Sequence, residues 1–189
     1  MPEPGRRIEV AAVVGSLRRN SFNRSLLRSA MLVQPEEMHI YEVAIDELPF
    51  FNEDLERQGD PPPVQRFKQQ LDRADAILVL TPEYSYSIPG VLKNAFDWAS
   101  RPANRSVLRG KPAGIMGASA GRSGTTRAQL HLRQIFIQLG VVPMPGPELD
   151  VTFAPDKFNA LGELSDQTAL DGMKQLLSGL VEWTTRVGR

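Results

Sequence analysis

The stretch Ala76-Ile-Leu-Val-Leu-Thr-Pro-Glu-Tyr-Ser-Tyr-Ser-Ile-Pro-Gly-Val-Leu-Lys-Asn-Ala-Phe-Asp-Trp98 decides the fold. Its first five residues are apolar and of strand length, as in a strand covered on both faces. They run into a polar turn bounded by Pro82 and Pro89. Proline is tolerated in the first turn of a helix. Beyond it Val91, Leu92, Ala95, Phe96 and Ala99 recur at helical spacing and form one apolar face. A buried strand leading through a polar turn into an amphipathic helix is the building unit of an open α/β sheet. Ligands of such sheets bind where the strands end.

The same unit recurs on either side. Ile8–Val14 reads as a buried strand, ends at Gly15-Ser-Leu-Arg-Arg-Asn-Ser21, and is followed by a helix from Phe22 to Met31 with Ser21 or Asn20 as N-cap. Met38–Val43 is a second strand. Asp46–Pro63, with Pro49, Gly59 and three consecutive prolines, reads as a long loop. Val64–Ala74 has helical periodicity and leads into the strand Ala76–Leu80. Further on come a strand at Lys111–Ala118, a helix from about Thr125 to Leu139 closed by Gly140, and a short strand at Val141–Met144. After an irregular stretch, a last helix covers roughly Asp166–Arg186. Regular alternation predicts one doubly wound α/β domain over residues 1–189, a parallel sheet with helices on both faces.

Composition narrows the function. Lys+Arg and Asp+Glu both number 22, which leaves no net field for holding nucleic acid or an anionic membrane. There is no cysteine, so disulfides, thiolate catalysis and cysteine-ligated zinc or iron–sulfur clusters are excluded. Met1–Arg7 has no signal-peptide hydrophobic core, and no apolar run approaches the ~20 residues that span a bilayer. The expectation is a soluble cytoplasmic protein.

Three turns at strand ends carry the candidate chemistry. In Gly15-Ser-Leu-Arg-Arg-Asn-Ser-Phe-Asn23, the amides of a helix start, the Ser16 and Ser21 hydroxyls and the Arg18 guanidinium make an anion site. The loop is neither a Walker A sequence nor G-x-G-x-x-G, which favours a single phosphate monoester. The main chain of Pro82-Glu-Tyr-Ser85 can read the polar edge of a ring, with Tyr84 packing near its face. Ser119-Ala-Gly-Arg-Ser-Gly124 lets backbone approach a ligand closely. Each has a plainer reading: a capped helix with solvated arginines, a rigid proline turn, a glycine turn. Their shared position at the ends of parallel strands raises them together. His39, His131 and the scattered acidic residues match no metal-ligand spacing, and Trp98 and Trp183 read as packing residues. With no triad and no metal site, a bound cofactor is expected to carry the chemistry.

Gly15-Ser-Leu-Arg-x-x-Ser-Phe-Asn23, Thr81-Pro-Glu-Tyr-x-Tyr-Ser-x-Pro-Gly90, Leu92-Lys-Asn-Ala-x-Asp-Trp98 and Arg127-x-Gln-x-His-Leu-Arg-Gln134 together resemble the NAD(P)H-dependent FMN reductase family, nearest its chromate and quinone reductases. The resemblance runs from about Ile8 to Glu148. It implies a flavodoxin-like five-stranded parallel sheet in the order 2-1-3-4-5. It also implies that Ser16, Arg18, Ser21, Phe22 and Asn23 hold the FMN phosphate. Pro82, Glu83, Tyr84 and Ser85 would line the isoalloxazine, with Ser119 and Gly121 closing its other side. No residue is assigned as a catalytic acid or base, and no metal is implied. The family commonly has Asn where this chain has Ser85, and often a smaller or apolar residue where it has Arg122.

The implied reaction is ping-pong: NADPH or NADH reduces the flavin, leaves, and a quinone, chromate, azo or nitroaromatic compound, or free flavin, is reduced in turn. Related proteins are homodimers or homotetramers, and the helix from Leu92 to Ala99 is a candidate contact. The competing readings are a flavodoxin-type FMN electron carrier without nicotinamide activity, an arsenic-resistance flavoprotein, and a non-redox phosphate- or nucleotide-binding module.

Overall fold

The structure is a computed structural model that describes residues 6–188. Residues 1–5, where the absence of a signal peptide was read, and residue 189 lie outside the described part. Five strand positions are filled by six strands. These are β1 (Ile8–Val14), β2 (Met38–Glu42), β3 (Ala76–Leu80), β4 (Pro112–Ala118), β5 (Val142–Pro143) and β6 (Leu149–Val151). The helices are α1 (Phe22–Val33), α2 (Glu53–Arg57), α3 (Pro62–Arg73), α4 (Gly90–Ala99), α5 (Thr126–Leu139) and α6 (Gln167–Val187). The sheet is parallel throughout in the order β2-β1-β3-β4-β5, with β6 also paired to β4.

The central strands are apolar at every position because both faces are covered, and the period of two sorts their side chains. Val10, Ala12 and Val14 of β1 and Ala76, Leu78 and Leu80 of β3 pack with Leu26, Leu27 and Ala30 of α1 and Met173, Leu176, Leu177 and Leu180 of α6. Ala11, Val13, Ile77 and Val79 face the opposite layer, built from Phe67 and Leu71 of α3, Leu92, Ala95, Phe96 and Ala99 of α4, and Leu132 and Phe136 of α5. At about 25 cal/mol per Å² of apolar surface, these two layers are the main source of stability. The apolar face of α4, considered above as a subunit contact, is therefore occupied by the protein's own sheet.

Two expectations are corrected. The loop after β2 contains the short helix α2, capped by Asn52, whose side chain accepts from the Asp54 amide at 2.8 Å. This loop is fastened to α4: the Pro49 carbonyl accepts from Asn94 Nδ2 (2.9 Å) and Trp98 Nε1 (2.8 Å), and the Phe51 amide donates to Asn94 Oδ1 (2.7 Å). The stretch after Met144, expected to be irregular, supplies β6. The fifth strand position is thus split, β5 pairing the start of β4 and β6 its end. Pro145-Gly146-Pro147 interrupts it, since proline cannot donate to a ladder. No helix among the described residues is long and apolar enough to cross a membrane.

Candidate functional site

Register sets the three turns at one level. Val14 pairs with Leu80 and Leu80 with Met116, so β1 and β3 end together and β4 runs two residues further, to Ala118. The first residue beyond β1 and beyond β3 continues the pattern: the Gly15 amide donates to the Leu80 carbonyl (2.8 Å) and the Thr81 amide to that of Met116 (3.0 Å). Between the turns lies an open cleft of about 190 Å³. Ser16, Arg18, Ser21, Phe22, Asn23, Pro82, Glu83, Tyr84 and Ser119 line it, with Ala118 and Ala120. Ser85 and Gly121 fall outside its lining.

Larger depressions of about 360 and 610 Å³ open around Arg6, at the amino ends of the strands. Both are rimmed by charged side chains. Ligands of doubly wound sheets sit at the carboxyl ends, so the smaller cleft is the candidate site. Burial raises the pKa of Tyr41 and, likewise by burial, lowers that of Lys111; both groups belong to the opposite end. There Tyr41 Oη donates to the Gln70 carbonyl and Lys111 Nζ to that of Ala74, which accounts for them as packing groups.

The first wall is the start of α1. Ser21 is its N-cap, with Oγ accepting from the Asn23 amide at 3.2 Å, and Ser16 Oγ accepts from the Arg18 amide at 3.4 Å. Both hydroxyls keep an O–H to donate. Arg18 is exposed and has no acidic partner among the described residues. The Asn23 side chain spans the cleft floor: Nδ2 donates to the Ala118 carbonyl and Oδ1 accepts the Ala118 amide, both at 3.0 Å. Asn23 therefore locks α1 to the end of β4, with both its amide nitrogen and its amide oxygen bonded there. Phe22 packs on Phe158, ring centroids 5.4 Å apart.

The second wall is a two-residue hairpin. Tyr84 and Ser87 exchange both backbone hydrogen bonds at 2.9 Å, and Ser85 and Tyr86 stand at φ 49° and 65°. Positive φ at both central residues is the I′ geometry, in which a serine is strained and an asparagine less so. This gives a physical reason for asparagine where this chain has Ser85. The Glu83 carboxylate turns into the next helix. It accepts from the amides of Arg127 (2.9 Å) and Ala128 (3.2 Å) and pairs with the Arg127 guanidinium (2.7 Å). What Glu83 presents to the cleft is its main chain.

α5 holds the third wall and anchors the second. Arg127 lies over the Tyr86 ring at 4.1 Å, and His131 Nδ1 is 3.0 Å from Ser87 Oγ. On the other side Gln129 donates to the Leu149 carbonyl (3.0 Å), and Arg133 donates to that of Met144 (2.9 Å) and pairs with Glu148 (3.2 Å). Asp150 accepts from the Thr125 amide and from the hydroxyls of Thr125 and Thr126. Gly124 at φ +53° leaves room for that carboxylate, since a Cβ there would stand 2.1 Å from Asp150 Oδ1. Sequence reasoning missed Asp150, Gln129 and Arg133. The available signal was the polar residue at every second position of Arg127-x-Gln-x-His-x-Arg133, too frequent for a helix with one solvent face.

Two helix N-termini thus behave oppositely. That of α5 is neutralised by Glu83 and Asp150. That of α1 has no acid in its first turn and an unpaired Arg18 beside it, and it is the one able to accept an anion. A phosphate on α1, with a flat ring between the Pro82–Tyr84 main chain and Ser119, fits these donors, so the residues present suit FMN.

The sheet order defines a flavodoxin-like protein, with the candidate cleft at the strand ends. The chain belongs to the NADPH-dependent FMN reductase family, whose model matches residues 8–156. It is 47% identical over 180 residues to an NAD(P)H-dependent FMN reductase of Pseudomonas aeruginosa, covering 95% of this chain and 97% of that one. It is 40% identical over 177 residues to a 2-hydroxy-1,4-benzoquinone reductase of a Burkholderia species, covering 93% and 96%. Among solved structures it is similar to FerB, a flavoenzyme NAD(P)H:(acceptor) oxidoreductase of Paracoccus denitrificans, with a TM-score of 0.89 at 33% identity over 96% of this chain and 100% of that one. The protein is an oxidoreductase that uses FMN and a nicotinamide.

Proposed function

We propose that the chain, as one FMN-binding unit, is an NAD(P)H:quinone oxidoreductase that reduces its acceptor in a ping-pong cycle. The observation that carries this reading is the meeting of an anion-accepting helix start, a rigid main-chain turn and a small-residue turn around one open cleft. FMN, when bound, supplies the centre that takes up and returns the reducing equivalents.

The chain's residues bind and orient. Arg18, the Ser16 and Ser21 hydroxyls and the α1 amides hold the phosphate. Phe22 packs beside it, and Asn23 keeps the two walls together. The main chain of Pro82–Ser85 lies along the ring edge, held by the Glu83–α5 tie, and Ser119 and Gly121 close the far side. Tyr84 and Tyr86 are exposed at the mouth, so nicotinamide and quinone can use one entrance in turn. The quinone acceptor rests on the relatives' activities, chiefly that of the Burkholderia enzyme. A homodimer or homotetramer, and a cytoplasmic location, belong to the same proposal. Leu130 and Ile137, exposed on α5, are among the exposed apolar side chains open to a second copy.

The test is the visible spectrum of the purified protein and its anaerobic bleaching by NADPH or NADH, followed by reoxidation with a quinone. A flavin that bleaches and is restored supports the reading. One that stays oxidised makes the protein an electron carrier, and a colourless protein unable to take up FMN overturns the reading. Arg18→Ala is expected to weaken FMN by about 1.5–3 kcal/mol, one charge-assisted contact.

A further inference from the structure

We propose that Arg122 is a specificity residue that recognises an oxyanion on one of the two substrates: the ribose 2′-phosphate of the nicotinamide donor or an acid group on the acceptor. The inference rests on the reaction proposed above. Arg122 sits in the β4–α5 turn, two residues along the chain beyond Ala120, which lines the cleft.

Three observations single it out. First, the cations of this wall are otherwise taken: Arg127 by Glu83 and the Tyr86 ring, Arg133 by Glu148 and the Met144 carbonyl. Arg122 is exposed and has no acidic partner among the described residues. Second, the helix start behind it offers an anion little, because Glu83 and Asp150 already occupy its amides. Arg122 is thus the cation without an acidic partner that this side offers an anion among the described residues. Third, the turn is held firmly at both ends. The Gly121 amide donates to Ser119 Oγ (3.1 Å), the Gly121 carbonyl accepts from the Phe153 amide (3.3 Å), and the Thr125 amide is bound by Asp150. A fixed backbone carrying a long unpaired guanidinium within two residues of the cleft lining is suited to hold an oxyanion bidentately. Arg18, on the other wall, has the flavin phosphate to hold.

The test compares FMN-loaded wild type, Arg122→Gln and Arg122→Lys. Binding of 2′,5′-ADP and of 5′-AMP is measured by titration calorimetry, which needs no turnover. KM is measured for NADPH against NADH, and for anthraquinone-2-sulfonate against uncharged 2-methyl-1,4-naphthoquinone. Arg122→Gln is expected to weaken one oxyanion-bearing member about tenfold while its uncharged or dephosphorylated counterpart stays within about twofold, with Lys restoring part of the loss and added salt shrinking it. Loss confined to NADPH and 2′,5′-ADP assigns the dinucleotide phosphate as the ligand. Loss confined to the sulfonate assigns the acceptor. Equal effects within each pair, or none in any, overturn the inference. Failure of the proposed reaction is separately visible, because wild type would then not bleach with either nicotinamide.

Discussion

Replacing Glu83 by alanine isolates the link between the cleft and the fold. The carboxylate accepts two amides at the start of α5 and pairs with Arg127, while its own side chain is only 9% exposed. Losing the acceptor for the first amide resembles loss of an N-cap, about 0.5–2 kcal/mol. Ala128 is fully buried, so its amide, left without a partner, costs about a further 1–3 kcal/mol. The Arg127 guanidinium is 43% exposed, and its pair is worth no more than about 1 kcal/mol after solvent screening. Together Glu83→Ala should lose about 2–5 kcal/mol and lower Tm by about 5–15 °C at this chain length. The assay is urea unfolding of the FMN-free protein, with a double-mutant cycle against Arg127→Met. Arg127→Met alone should cost about 1 kcal/mol, because it leaves both helix amides satisfied. Glu83→Gln, which keeps one carbonyl acceptor, should fall between wild type and alanine. FMN affinity should drop in the alanine variant, since the Pro82–Tyr84 main chain loses its anchor. A loss below about 1 kcal/mol for Glu83→Ala, or one equal to that of Arg127→Met, would refute the reasoning that the carboxylate acts mainly on the helix start.

Ser85→Asn should stabilise the apoprotein by about 0.5–1 kcal/mol in urea unfolding, because asparagine accepts the left-handed conformation more readily, whereas Ser85→Val should destabilise it. Gly117→Ala should cost at least about 3 kcal/mol and abolish a cooperative melt, since the new Cβ would lie 2.1 Å from Thr125 Oγ1 and 2.4 Å from the Thr81 carbonyl. Lys111 has a pKa below its ordinary 10.5 because it is buried. Between the folded value and 10.5 the unfolded chain therefore holds the proton that the folded chain has released, and the Lys111 contribution to stability rises with pH. Lys111→Met should flatten that rise when the two proteins are compared by chemical denaturation at matched pH, which cancels the opposite trend from Tyr41, whose pKa is raised.

Much of the cleft was legible because its signals are local. Gly15-Ser-Leu-Arg, Pro82-Glu-Tyr and Ser119-Ala-Gly each lie within a few residues of a strand end, and a parallel sheet brings strand ends to one edge whatever its finer geometry. The buried strands could be read from continuous apolar runs, and α1 and α5 from their caps at Ser21 and Gly140. β6 was not legible: three residues with a charge in the middle, Leu149-Asp-Val151, give no periodicity to detect. The helix α2 was hidden among prolines and acidic residues, and its attachment to Asn94 and Trp98 is a contact across more than 40 positions.

By itself, then, the sequence determined the alternation of strand and helix, the doubly wound class and which turns gather at one sheet edge, since backbone propensity and burial period act over short distances along the chain. Only the tertiary structure decided what the polar side chains of those turns do. It turned the Glu83 carboxylate into α5, committed both ends of the Asn23 amide to Ala118, seated Asp150 on the same helix start, and left Arg18 and Arg122 without acidic partners among the described residues. Whether a charged group finds a partner depends on chain segments far apart in sequence that packing brings within about 3 Å, and no local pattern records that distance.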